Sequence, residues 1–113
     1  MYKRQKEFRY VYRRGSSKAN ELMVVIFTKN RTPALKHIGF SVSKKLGNSV
    51  CRSRVKRRLR SAFDTVFGEV KPGYNMIVIA RAPILSADFS DICAAARSLL
   101  RRGDLLKKEE NKE

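Results

Sequence analysis

The spacing of apolar side chains along the chain alternates between the period of helices and that of strands. Apolar residues three and four positions apart predict helices, and short runs rich in branched and aromatic residues predict strands. The predicted elements are, in chain order, a helix at 4–14, strands at 22–28 and 38–43, a helix at 49–67, a strand at 74–81 and a helix at 88–102. Residues 16–20 are small and polar, which predicts a loop.

The last two helices each have one apolar face, which predicts that both pack on a sheet. On the helix at 49–67 this face is formed by Val55, Leu59, Ala62, Phe63 and Val66, and on the helix at 88–102 by Phe89, Ile92, Cys93, Ala96, Leu99 and Leu100. Large and small side chains alternate along the strand at 38–43. The large ones are predicted to face the core, at Ile38, Phe40 and Val42, and the small ones to face the other side, at Gly39, Ser41 and Ser43. The small second face leaves room for a ligand to lie across the sheet.

A chain of 113 residues is long enough for one domain with a two-layer core. The loop at 29–37 is predicted to join a hairpin, and residues 38–81 have the order of a βαβ unit. The predicted fold class is α+β, a single-domain α/β sandwich over residues 1–113 in the order α-β-β-β-α-β-α, in which the region from Leu22 to Val42 supplies the hairpin strands. The polar residues 107–113 are expected to form a frayed tail.

Basic residues outnumber acidic ones by 26 to 10, which gives a formal net charge of +16 and a pI of about 10.6. The stretch 44–60 alone carries eight positive side chains and no acidic one. On the predicted helix, Arg52, Lys56 and Arg60 form a row beside the apolar face, while Arg54, Arg57 and Arg58 project from the opposite side. Because like charges this dense are unfavourable alone, the sequence predicts a polyanionic partner such as a nucleic acid. A membrane surface and a merely solvated basic face are the weaker alternatives.

Two features are typical of RNA-binding proteins. Lys44, Lys45 and the backbone N–H groups of residues 47–49 lie at the N-terminus of the basic helix, where a phosphate can bind. The arginine side chains can bind further phosphates through their guanidinium groups. The aromatic stripe of Phe8 and Tyr12, set among basic residues, suits stacking on unpaired bases and packing in the core equally well.

Candidate catalytic and metal-binding residues are few. Cys51 and Cys93 are far apart and have no second ligand beside them, so spacing excludes a paired-ligand zinc site and favours two reduced, buried thiols. His37 has no sequence-adjacent carboxylate, and no acid pair has catalytic spacing, so a protein-only hydrolase is not expected. No apolar run approaches the roughly 18 residues of a membrane span, and no signal-peptide core follows Met1. The predicted location is therefore cytoplasmic.

The segment GFSVSKKLGNSVCRSRVKRRLR at residues 39–60 resembles the signature of the bacterial ribonuclease P protein subunit. The likeness extends to residues 8–12, 19–20, 77–81 and 99–100. It implies an RNA-binding subunit of an endoribonuclease that removes the 5′ leader from precursor tRNA, with the chemistry carried by a catalytic RNA and Mg²⁺. The implied partners are the catalytic RNA subunit and precursor tRNA, without a membrane or a further protein, and the RNA mainly holds the Mg²⁺.

The resemblance also implies site residues, none of them catalytic and none a metal ligand. Contact with the catalytic RNA is implied for Lys44, Lys45, Asn48, Arg52, Ser53, Arg54, Lys56, Arg57 and Arg60. Ser53 stands where the family motif has asparagine. Contact with the leader is implied for Phe8, Tyr12, Val24 and Ile26. The βαβ unit is implied to have a left-handed crossover, as in the ribosomal protein S5 domain 2-like fold, whereas general rules favour a right-handed one.

Two other functions stay open from the sequence. A structural RNA-binding protein, such as a ribosomal component, would share the basic helix but would not affect leader cleavage. A protein-only nuclease would lose activity and keep RNA binding when His37 or an acidic residue is replaced.

Overall fold

The computed structural model describes residues 15–29 and 36–107. The described elements are the strands β1 (Ser16–Ala19), β2 (Met23–Lys29), β3 (Lys36–Ser41) and β4 (Tyr74–Ala80), the helices α1 (Ser49–Asp64) and α2 (Phe89–Arg102), and short 3₁₀ helices at Lys44–Leu46, Phe67–Glu69 and Ala82–Ser86. The helix predicted at 4–14, with Phe8 and Tyr12, lies outside the described residues.

The strands predicted at 22–28, 38–43 and 74–81 and the last two predicted helices are confirmed, with small shifts at their ends. The largest shift is at the C-terminus of α1, which ends at Asp64 and not at Phe67. There the hydroxyl of Thr65 donates to the carbonyl oxygen of Ala62 at 2.6 Å. Because this bond competes with the helical pattern, the chain turns away at the end of α1.

β1 is a strand where the sequence predicts a loop, so that prediction is wrong. It pairs antiparallel with β2, from Ser16 opposite Phe27 to Ala19 opposite Val24. All its side chains are exposed, and it lies at one edge of the sheet. Because an exposed edge strand needs no apolar side chains, its sequence lacks the pattern that indicates a strand.

The four described strands form one sheet in the order β1-β2-β4-β3. β4 pairs antiparallel with β2 and parallel with β3, so the predicted hairpin between the strands at 22–28 and 38–43 is wrong. Met76, Ile77 and Val78 of β4 are all fully buried. A strand that is apolar on both faces gains most at the centre of a sheet, and β4 therefore separates the two strands. β3, α1 and β4 form a βαβ unit, and its left-handed sense stays a prediction.

One face of the sheet packs against both helices. α1 packs against β3 and α2, while α2 packs against β2 and β1. The apolar faces predicted for the helices are buried in this core, at Val55, Leu59, Ala62, Phe63, Val66, Ile92, Ala96, Leu99 and Leu100. The prediction that Phe89 belongs to this buried face is wrong, because Phe89 is the first residue of α2 and is 40% exposed. The alternation of β3 is confirmed, since Ile38 and Val42 are buried in the core and Phe40 packs against it.

Asn20 fixes the turn between β1 and β2. Its Oδ1 accepts hydrogen bonds from the N–H groups of Leu22 and Met23, at 3.0 and 3.1 Å. Its Nδ2 donates to the carbonyl oxygen of Ala95 in α2, at 3.1 Å. The carbonyl oxygen of Asn20 accepts a further bond from Nη1 of Arg81 at 2.8 Å. One residue therefore joins the turn, α2 and the end of β4.

Replacing Asn20 by alanine removes all three side-chain hydrogen bonds of this turn. Because the N–H groups of Leu22 and Met23 are then left without their acceptor, we expect the free energy of unfolding to fall by about 2 kcal/mol. Asn20→Asp keeps an acceptor for both N–H groups and removes only the donor to Ala95, so its effect is expected to be smaller. Urea denaturation followed by circular dichroism measures both values. Equal effects in the two variants would show that Oδ1 does not hold the turn.

The chain after α2 is joined to the segment before β4. The N–H of Lys71 donates to the carbonyl oxygen of Leu105, and the N–H of Lys107 donates to that of Glu69, each at 2.7 Å. Lys107, where the predicted tail begins, is therefore hydrogen-bonded. Arg97 donates to both carboxylate oxygens of Glu69 at 2.8 and 3.0 Å, and these bonds lower the pKa of that carboxyl below its ordinary value.

Candidate nucleic-acid interface

A tight loop leads from β3 into α1 and carries the first predicted RNA-binding lysines. Lys44 and Lys45 lie in one 3₁₀ turn and are exposed, and Oγ of Ser43 accepts a hydrogen bond from the N–H of Lys45 at 3.1 Å. Gly47 ends this turn with a φ of 141°, a conformation that L side chains rarely adopt. An added Cβ at Gly47 would lie 2.9 Å from both Cβ and Sγ of Cys51. The entry into α1 therefore requires glycine.

Asn48 is the N-cap of α1, because its Oδ1 accepts a hydrogen bond from the N–H of Cys51 at 2.9 Å. The N–H of Gly47 donates to the carbonyl oxygen of Lys44 at 3.3 Å, within the turn, and its predicted contact with a phosphate stays a prediction. The N–H groups of Asn48 and Ser49 have no acceptor among the described residues. They leave the helix N-terminus able to bind an anion.

Two arginines of α1 are oriented by neighbouring groups. Nε of Arg52 donates to the carbonyl oxygen of Gly47 at 3.1 Å, which leaves the two terminal nitrogens of the guanidinium for other partners. The guanidinium carbon of Arg60 lies 6.0 Å from the centroid of the Phe40 ring, and that ring contacts Phe63 edge-on at 5.7 Å. Arg60 therefore lies beside β3, and Arg52 lies beside the loop that follows β3.

The remaining outer residues of α1 are basic and exposed. The side chains of Arg54, Lys56 and Arg57 form no hydrogen bond or ion pair with any described residue, and Ser53 is exposed among them. The structure thus brings together on one helix and its entry loop every residue predicted to bind the catalytic RNA. We call this set the α1 surface, formed by Lys44, Lys45, Asn48, Arg52, Ser53, Arg54, Lys56, Arg57 and Arg60.

The sequence predicts that Arg58 projects from α1 like Arg57, and the structure corrects this. Its side chain is half-buried, and Nη2 donates to the carbonyl oxygen of Ala87 at 3.1 Å. This bond joins α1 to the segment that leads into α2. Arg58 therefore holds the fold together, whereas its neighbour Arg57 is available to a ligand.

The other face of the sheet carries the described residues predicted to contact the leader. Cross-strand pairing places its side chains in two rows, Val24, Ile79 and Ser41 in one and Ile26, Ile77 and Gly39 in the other. Ile77 is fully buried but lies outside the helix-covered core, while Val24, Ile26 and Ile79 are half-buried. This second face is therefore apolar at its centre and small along β3.

Sequence reasoning did not include Ile77 and Ile79 in the predicted leader contacts. Their alternation with Val78 in β4 is visible in the sequence, but it reveals which residues share a face and not which strand lies beside them. Only the pairing of β4 with β2 brings Ile77 next to Ile26 and Ile79 next to Val24.

Across the described part of the chain, no three His, Cys, Asp or Glu side chains come together in a group that could hold a metal ion. Cys51 and Cys93 are free and half-buried. Neither helix of the same residues combines the length and apolarity needed to cross a bilayer.

The model of the family described as "Ribonuclease P" matches residues 2–104. The chain belongs to the ribonuclease P protein family. It is 41% identical to the ribonuclease P protein component of Clostridium beijerinckii over 96% of this chain and 91% of the relative. It is 38% identical to the ribonuclease P protein component of Listeria innocua, over 96% of this chain and 92% of the relative.

Solved ribonuclease P protein structures have the same fold. The protein from Staphylococcus aureus superposes with a TM-score of 0.84 at 31% identity, covering 94% of this chain and 96% of the other. The protein from Thermotoga maritima gives a TM-score of 0.79 at 28% identity, with coverages of 87% and 92%. The α+β sandwich predicted from the sequence is thus the fold of the ribonuclease P proteins.

Proposed function

We propose that this ribonuclease P protein binds a catalytic RNA through the α1 surface and the 5′ leader of precursor tRNA across the second face of the sheet. It thereby promotes endonucleolytic removal of the leader by the RNA. The observation that carries the proposal is the α1 surface itself. Its outer cations Arg54, Lys56 and Arg57 are exposed, lack neutralising carboxylates among the described residues, and are fixed on a helix anchored in the core.

The chemistry of the α1 surface favours phosphate as its ligand. Guanidinium groups match pairs of phosphate oxygens, and the α1 N-terminus adds backbone N–H donors. Arg52 and Arg60 are held in place before any ligand arrives, so binding costs less side-chain entropy. These contacts are independent of RNA sequence, and they position the protein on a folded RNA.

The second face of the sheet suits unpaired nucleotides. Val24, Ile26 and Ile79 offer apolar contacts to bases, while the small residues Gly39 and Ser41 leave space beside them. Phe8 and Tyr12 complete the proposed leader contacts by resemblance. Because α1 packs against β3, whose residues Gly39 and Ser41 belong to the second face, we propose that an RNA bound by α1 lies next to a leader on the sheet.

The proposal assigns no bond-breaking role to a protein side chain. By resemblance, Mg²⁺ would be held mainly by the RNA and would supply the activated water. The described residues bring together no group of three or more His, Cys, Asp or Glu side chains that could hold it. The protein's part is to bind, orient and neutralise charge. The site of action is the cytoplasm.

The leader contact is tested by the preference of the reconstituted complex for precursor over mature tRNA. Ile26→Thr keeps a β-branched side chain but removes apolar contact, and we expect the preference to fall about 3- to 10-fold. Lys29→Gln, at the far end of the same strand, is the matched control and should leave the preference unchanged. Filter binding with precursor tRNA and with mature tRNA measures this preference. An unchanged preference in Ile26→Thr and in Phe8→Ala would contradict the proposed leader contact.

A further inference from the structure

A second group of cations surrounds the turn between β1 and β2. Arg102, at the C-terminus of α2, donates from Nη1 to the carbonyl oxygen of Ala19 at 3.1 Å. Arg81, directly after β4, donates to the next carbonyl oxygen, that of Asn20, at 2.8 Å. Lys18 precedes Ala19 in β1, and all three cationic side chains are exposed. We call Lys18, Arg81 and Arg102 the turn cluster.

The turn cluster is held in place but not neutralised. None of its three cations forms an ion pair with a carboxylate in residues 15–29 or 36–107, including Glu21 in the turn itself. Each guanidinium uses one N–H group on a backbone carbonyl and keeps its others for a ligand. The carbonyl oxygens of two successive residues hold the two guanidinium groups at the same turn, where a bound anion would reduce their mutual repulsion.

The positions of Lys18 and Arg102 separate these two cations from both proposed RNA contacts. β1 and β3 are opposite edges of the sheet, three strand spacings or about 14 Å apart. α1 packs beside β3, whereas Arg102 reaches β1 from α2. Lys18 is paired with the buried Val25, so it lies on the helix side of the sheet and not on the second face. A phosphate bound by Lys18 and Arg102 thus belongs to a different stretch of RNA.

We infer that the turn cluster binds the phosphate backbone of a second RNA segment, so that the protein bridges two segments from opposite edges of its sheet. The inference rests on the proposed function for the nature of the polyanion. Two fixed guanidinium groups and a lysine match phosphate oxygens without reading bases. The segment lies either in the catalytic RNA or in precursor tRNA, and its chemistry is the same in both.

The test is the double variant Lys18→Gln/Arg102→Gln, which leaves Arg81 and the α1 surface intact. Two probes are used: the catalytic RNA of the source organism transcribed in vitro, and precursor tRNA added to the assembled complex. Removing one cation that binds a phosphate is expected to lower the slope of log affinity against log salt by about 1. For two such cations the affinity should fall up to about 100-fold at 0.1 M salt and little near 1 M. Lys29→Gln/Lys107→Gln removes two exposed charges elsewhere and should leave the slope nearly unchanged.

The charge-retaining variant Lys18→Arg/Arg102→Lys separates binding from a structural role, because it should keep the slope. Weaker binding of the catalytic RNA places the second segment there, and weaker binding of precursor tRNA alone places it in the substrate; both support the inference. If neither binding changes while removal of charge from the α1 surface weakens it, the inference is overturned and the proposed function stands. Equal weakening in the charge-retaining and glutamine variants would also overturn it. If charge removal at the α1 surface has no effect either, the proposed function itself fails.

Discussion

Replacing Arg54, Lys56 and Arg57 together by glutamine is expected to weaken binding of the catalytic RNA by up to about 1,000-fold at 0.1 M salt. The slope of log affinity against log salt should fall by about 3, because the variant no longer neutralises three phosphates. Glutamine has nearly the helix propensity of arginine and lysine, and none of the three side chains bonds to a described residue. The fold should therefore be unaffected, and filter binding at several salt concentrations measures the binding effect alone.

Arg58→Gln is the control for this variant, since it also removes a positive charge from α1. Because Arg58 donates to the carbonyl oxygen of Ala87, its replacement is expected to lower the thermal stability and to leave the salt slope nearly unchanged. Arg57→Gln should lower the salt slope and leave the thermal stability nearly unchanged. If the two single variants behave alike in both measurements, the division between a binding and a structural arginine is wrong.

Gly47→Ala is expected to destabilise the protein by at least about 2 kcal/mol, since Gly47 has a backbone conformation that alanine adopts only with strain. The new Cβ would also lie 2.9 Å from Cβ and Sγ of Cys51, in the first turn of α1. For a domain of this size the midpoint of thermal unfolding should fall by about 10 °C. Affinity for the catalytic RNA should fall as well, because the N-terminus of α1 and the carbonyl that holds Arg52 must move.

Gly68→Ala provides the matched control for the glycine substitution. Nothing lies within 4 Å of an added Cβ there, so the variant should be as stable as the parent or slightly more so. Differential scanning calorimetry measures the midpoint of thermal unfolding of the two glycine variants. A Gly47→Ala protein with an unchanged midpoint would contradict the requirement for glycine at the entry into α1.

The features that the sequence predicts well depend on local periodicity. Val55, Leu59 and Phe63 recur at helical spacing, so the buried face of α1 and its basic outer face follow from the geometry of one helix. The alternation of Ile38 with Gly39 similarly assigns the two faces of β3. The family signature adds an expected ligand for the helix, which periodicity alone leaves open.

The features that the sequence does not predict depend on contacts between distant segments. β1 exists because β2 supplies its pairing partners, and its own residues are small or polar and exposed. β4 separates β2 from β3 because it is apolar on both faces. The prediction of a hairpin considered only strands that are adjacent in sequence. Arg57 and Arg58 are identical in type and adjacent, yet the carbonyl oxygen of Ala87, 29 positions further on, binds only Arg58.

Reconstituted cleavage of precursor tRNA tests the central claim most directly, because it separates the work of the protein from that of the RNA. The protein alone, the catalytic RNA alone and the two together are compared at a low Mg²⁺ concentration at which the RNA alone is nearly inactive. We expect the protein alone to leave precursor tRNA intact and the mixture to remove the leader. The variant without the charges of Arg54, Lys56 and Arg57 should need far more protein for the same rate. Cleavage by the purified protein without RNA would contradict this division of work.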